Sequence, residues 1–166
     1  MKITRFSLFL VASTSMFALL ATIGCKKSNN DSSGNGVSAT LSGTAFSGNQ
    51  TVSFYTQSGG FFDIAGFTVK SGDTAALELV VPGSITVNKA FSTDSGYTSI
   101  DYITNTTNGK DYDASGGYGS GVLIVTSLDT VGHKIAGTFT GTLYASGSDS
   151  LVVTNGKFST SYLVEP

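Results

Sequence analysis

From Val37 onward the chain repeats one pattern: apolar and polar residues alternate in short runs, and glycine, asparagine and serine clusters separate the runs. In Thr74 to Val81, Leu77, Leu79 and Val81 share one side, Ala76, Glu78 and Val80 take the other, and Pro82 ends the run. A period of two is strand behaviour, because successive side chains of an extended backbone point to opposite faces. Ile135 to Tyr144 shows it most cleanly, with Ile135, Gly137, Phe139, Gly141 and Leu143 alternating with Ala136, Thr138, Thr140, Thr142 and Tyr144. The first set predicts a core face with glycine gaps, and the second a wet threonine ladder. Similar runs predict strands over Ala39 to Phe46, Thr51 to Thr56, Phe61 to Val69, Ser84 to Phe91, Tyr97 to Thr104, Gly121 to Leu128 and Ser150 to Leu163. In the last run the apolar residues are odd-numbered before Asn155-Gly156 (Leu151, Val153) and even-numbered after it (Phe158, Tyr162). A β-bulge would restore the face after such a switch, with Gly156 suited to the left-handed conformation. A two-residue hairpin turn at Asn-Gly is the competing reading.

About eight to ten strands with turn signals between them predict an all-β domain, a single antiparallel β-sandwich or open barrel. Composition agrees: after residue 36 methionine and arginine are missing, and glutamate occurs only at Glu78 and Glu165. Strong helix formers are scarce, so almost no helix is expected. One core is the economical count for some 130 residues.

The N-terminus reads differently. Lys2 and Arg5 precede an uncharged run from Phe6 to Gly24, the order of an export signal, and the tail Ala21-Thr22-Ile23-Gly24-Cys25 follows. That tail resembles the lipobox of bacterial lipoproteins, with Thr22 where that motif usually carries leucine. The resemblance implies removal of residues 1–24 and attachment of two or three acyl chains, palmitate-like in length, to Cys25. Cys25 is the only cysteine of the 166 residues, so no intrachain disulfide can form. At about 0.8 kcal/mol per buried CH₂, the acyl chains outweigh the roughly 1 kcal/mol that each of Lys26 and Lys27 adds at an anionic surface. Residues 25–36 carry no apolar side chain after the cysteine and read as a tether with about 20 Å of reach. The expected organisation is a signal peptide over 1–24, the lipidated cysteine and tether over 25–36, and one β domain over 37–166.

Without Lys2 and Arg5, seven basic residues face eleven acidic ones, a charge near −4. With no basic cluster beyond Lys26-Lys27, nucleic acid is set aside as a partner. The strand order of the C-terminal third, Gly121-Val-Leu-Ile-Val-Thr, Lys134-Ile-Ala-Gly-Thr-Phe-Thr-Gly and Val153-Thr-Asn-Gly-Lys-Phe158, resembles a family of Bacteroidota lipoproteins whose members end in a similar GtF … vTnGkF pair. That resemblance implies an outer-membrane address and an all-β fold. It carries no activity and no catalytic residue.

His133 is the only histidine, so a nucleophile–base pair would have to use it; with no Gly-x-Ser-x-Gly elbow and no second imidazole to complete a zinc site, it reads as a solvated turn residue. Glu78, between two leucines, reads as an exposed-face carboxylate. Asp94, Asp101, Asp111 and Asp113, with Asn105 and Asn108 nearby, are the hard oxygen donors from which a calcium site would be drawn. Lys110-Asp-Tyr-Asp-Ala-Ser-Gly-Gly lacks the twelve-residue calcium loop, so no cofactor is expected. Tyr97, Tyr102, Tyr112 and Tyr118 concentrate in the same region and are the candidate ligand-stacking residues. The expectation is a non-catalytic, monomeric binding or structural module of the envelope, meeting a glycan or an envelope protein through residues 92–120. Two alternatives stand beside it: a purely structural lipoprotein, and a glycan hydrolase with two carboxylates facing across a cleft at about 5 to 10 Å.

Overall fold

A computed structural model describes residues 35–70, 73–105, 109–146 and 149–166. The segment expected to be a signal peptide, Cys25 and all but the end of the expected tether lie outside the described residues, as does Asn108. The alternating runs become strands: β1 (Gly36–Leu41), β2 (Thr44–Ser47), β3 (Gln50–Thr56), β4 (Phe61–Lys70), β5 (Asp73–Pro82), β6 (Ala90–Ser92), β7 (Ser99–Asn105), β8 (Asp111–Ser115), β9 (Ser120–Asp129), β10 (Lys134–Tyr144), β11 (Ser150–Ser161) and β12 (Leu163–Glu165). A single turn of 3₁₀ helix at Thr93–Ser95 is the one helical element described. Among the described residues no helix is long and apolar enough to cross a membrane.

The twelve strands form one bent, unclosed sheet in the order β12-β3-β4-β5-β7-β8-β10-β11-β1-β2, with β9 beside β10 and β6 beside β9. Its two halves fold over a common core, in which Ile64, Leu77, Leu79 and Ile100 of the first half meet Leu123, Ile135, Phe139 and Leu143 of the second. Across the seam, the Ser53 hydroxyl of β3 donates to Thr160 Oγ1 of β11 at 3.4 Å. The fold is therefore all-β, a sandwich-like open barrel, as the alternation predicts. It has more strands than the eight to ten expected, and it is mixed, because β12 runs parallel to β3. Three runs divide differently. Ala39 to Phe46 is a hairpin turning at Ser42-Gly43, Ser84 to Phe91 is almost wholly turn and bend, and Ser150 to Leu163 ends one strand and begins another. The segment 92–120, in which a strand was expected only over Tyr97 to Thr104, contains all of β7 and β8.

The β10–β11 pair explains the glycine gaps. Gly137 lies opposite Phe158 and Phe139 lies opposite Gly156, so each strand's phenylalanine occupies the space left by the other's glycine, with ring centroids 6.5 Å apart. A Cβ on Gly156 would lie 2.6 Å from a Phe139 ring carbon, and one on Gly137 would lie 2.7 Å from a Phe158 ring carbon. The parity switch is a bulge: β11 continues through Asn155-Gly156 while the register steps from Phe139↔Gly156 to Gly141↔Val153. One correction follows. Asn155, at φ 53°, takes the left-handed conformation, and Gly156 is needed for the close approach of Phe139.

Candidate functional site

Four strands of the first half, β4, β5, β7 and β8, carry carboxylates on the face turned away from the core. Glu78 pairs in register with Asp101, and Asp101 with Asp113; Asp63 lies diagonally from Glu78, one pair further along β4. Neighbouring strands lie about 4.8 Å apart, so side chains at these positions abut. The result is a row of four carboxylates. Burial first, then the Glu78 charge and its hydrogen bond, push Asp63 up to about 8, so that protonated Asp63 donates to Glu78. Burial raises Glu78 as well, opposed by that same bond. Asp101 is held well above the usual carboxylate range by burial and by its bond to Asp113, against the Ser99 hydroxyl, which donates to Asp101 Oδ2 at 2.7 Å. Ser115 Oγ donates to Asp113 Oδ2 at 2.8 Å, while Asp113 Oδ1 and Asp63 Oδ1 are buried without a hydrogen-bond partner.

Glu78 is thus not the exposed-face residue that the sequence suggests. Strand alternation places it on the reverse of the core, but its neighbours there are acidic and apolar, and it is half-buried. The four calcium candidates separate as well. Asp101 and Asp113 are paired, whereas Asp94 is exposed in the 3₁₀ turn, where it accepts from the Ser92 hydroxyl at 3.1 Å, and Asp111 is exposed at the start of β8. Among the described residues no three acidic or histidine side chains converge as a metal shell would require. The carboxyl groups that do meet are in hydrogen-bonding contact on one sheet face. A hydrolase pair is separated across a cleft so that a water or a covalent intermediate fits between.

The tyrosines divide into two sets. Tyr102 and Tyr112 turn inward and pack on the core, with ring centroids 6.4 Å apart, and Tyr102 meets Phe46 edge-on at 5.9 Å. Tyr102 also lines a cleft of about 560 Å³ together with Leu41, Phe46 and Leu151. Tyr97 is 77% exposed and has no ring partner among the described residues. Tyr118 faces out and has a partner that the sequence reading did not single out, Tyr144, at 6.0 Å between centroids. The Tyr118 hydroxyl donates to the Ala145 carbonyl at 2.8 Å, which fixes the ring, and the two rings are 46% and 38% exposed. Tyr144 lies opposite Asp113 in the one register pair that joins β10 to β8. The carboxylate row and the tyrosine pair therefore form one continuous strip, in which Asp113 borders two exposed rings.

The second half of the sheet presents a different surface. Along the outward side of β10, Thr138 and Thr140 are exposed and Thr142 is half-exposed, so the threonine side is wet as the alternation predicts. Beside it a shallow depression of about 400 Å³ is lined by Ser38, Ser47, Thr126, Thr138, Lys157 and Ser159 among others. His133 is exposed in its turn at φ 49°, stacked on Tyr162 at 5.3 Å between ring centroids, with no nucleophile placed against it.

Comparison with protein-family models, with curated proteins and with solved structures returned no match. The strip has to be read from its own chemistry.

Proposed function

We propose that this chain is a lipid-anchored outer-membrane lipoprotein, and that its β domain is a non-catalytic module binding a glycan on the outer sheet face. The observation that carries the reading is the exposed Tyr118–Tyr144 pair in register with Asp113. Aromatic faces stack on the apolar face of a sugar ring, and a carboxylate oxygen accepts from its hydroxyls. The pairing suits a polyhydroxylated ligand better than a metal. The anchor rests on Cys25 and the charge-led apolar run before it.

A polysaccharide array probed with the domain from residue 35 onward is expected to give a signal. Tyr118→Ala and Tyr144→Ala should each weaken it at least fivefold, the size of an interface anchor worth more than about 1 kcal/mol. Both rings are partly exposed, so the melting temperature should move by no more than about 3 °C. An array without signal, or variants that keep full binding, would overturn the reading. For the anchor, Cys25→Ser is expected to abolish incorporation of a fatty-acid analogue and to release the protein from the membrane fraction. A wild-type protein that stays membrane-bound without taking up the label would show the N-terminal run to be a transmembrane segment.

A further inference from the structure

The depression beside β10 adds a second element to this surface. Its floor is made of small residues, Ala136 and Gly137 of β10 with Gly36 and Gly48, where a sheet face would otherwise carry bulk. Its rim holds five hydroxyl side chains and the Lys157 ammonium, and no carboxylate. Lys157 lies opposite Thr138 on one side and Ser38 on the other, so its stem rises from the middle of the depression. It has no ion-pair partner among the described residues, whose one salt bridge joins Lys110 to Asp149. In a chain of net charge −2 this is a local cluster of hydroxyls with a single positive charge. A lining of hydroxyls, which both donate and accept, with one cation and no carboxylate suits a ligand that brings hydroxyls and one negative charge.

The depression and the tyrosine pair share the outward face of β10. From Thr138 to Tyr144 the strand advances six residues, about 20 Å at roughly 3.3 Å per residue, and Thr140 and Thr142 fill the interval. We infer that the glycan is acidic, a chain of sugars lying along β10 that stacks on Tyr118 and Tyr144 at one end and places a carboxylate on Lys157 at the other. This inference rests on the glycan reading above and names its substrate class.

The test compares oligogalacturonate with its methyl ester, which has the same backbone and no charge, on the domain from residue 35 onward by titration calorimetry. Oligogalacturonate is expected to bind more tightly, by about fivefold, the gain that one exposed ion pair allows. Lys157→Gln should remove that preference and leave the ester's affinity unchanged, and raising the salt should act in the same direction. Equal binding of acid and ester, or a preference that survives Lys157→Gln, would overturn the acidic class and leave the tyrosine reading intact if Tyr118→Ala still weakens both. Binding of neither would overturn the two together.

Discussion

Raising the pH from 5 to 9 is expected to lower the melting temperature of the domain, by about 8 to 10 °C. The cause is the carboxylate row. Asp63 has a folded-state pKa of about 8 against an ordinary 3.8, so between those values the folded state holds a proton that the unfolded chain releases. The slope of unfolding free energy with pH follows the protons bound in the unfolded state minus those bound in the folded state, which is negative here. This contribution is harmless below about pH 4, grows through the window from 4 to 8, and is fully unfavourable above it. A shift of this size sets an upper bound of roughly 6 kcal/mol. Partial exposure and sharing of the proton with Glu78 reduce it to about 2 to 3 kcal/mol. Asp101, raised for the same first reason, adds in the same direction, while Asp129, lowered by the Gly132 and Val131 amides, titrates below this window and does not contribute to it. Asp63→Asn keeps a donor to Glu78 and removes the titration. The variant should melt higher than the wild type at pH 9, equal it near pH 4.5, and show about half its pH dependence. Thermal melts across that range decide the matter, and a wild-type stability that is flat or rising toward pH 9 would refute the proton held at Asp63.

The second large effect concerns one methyl group. Gly156→Ala is expected to cost about 3 kcal/mol, about 10 °C in a domain of this size, although alanine is the mildest substitution available. The added carbon meets the Phe139 ring at 2.6 Å and also crowds its carbonyl oxygen, which belongs to a strand paired on both sides and cannot retreat. Phe139→Leu in the Gly156→Ala background should recover about 1 kcal/mol relative to the sum of the single changes, because the ring half of the conflict is removed. Chemical denaturation of the four proteins measures the coupling. An additive cycle would mean that the glycine serves the bulge alone.

These two cases show what a sequence of this kind discloses. Where the information lies along one strand it was legible: the threonine ladder of β10, its glycine gaps and the bulge at Asn155-Gly156 all follow from parity. Where it lies across strands it was not. Asp101 and Asp113 are twelve residues apart, Glu78 and Asp101 twenty-three, and only the register brings them into a row, so Glu78 read as a solvated residue and Asp63 was not singled out. Tyr144 was hidden for the same reason: as the last residue of a strand it looked like an alternation end, and its partner Tyr118 is twenty-six residues earlier. The clustering of Asp94 and Asp111 with the useful aspartates was proximity in sequence alone. β4 was legible as a strand but not in its facing, since Phe62 and Ile64 face the core while Ala65 and Phe67 are buried on the reverse, and alternation cannot mark a strand buried on both sides.

The closure of the sheet bears on when the chain can fold. β1 is held between β2 and β11, and its partners in β11, Val153 to Ser159, lie more than 110 residues downstream. Until they arrive β1 has only the four-residue β2 to pair with, and a short hairpin is marginal by itself. Pairings so distant in sequence make for slow, late folding. A chain with this topology therefore completes its sheet only once nearly all of it has been synthesised, because the strand that begins the fold waits for the one that almost ends it.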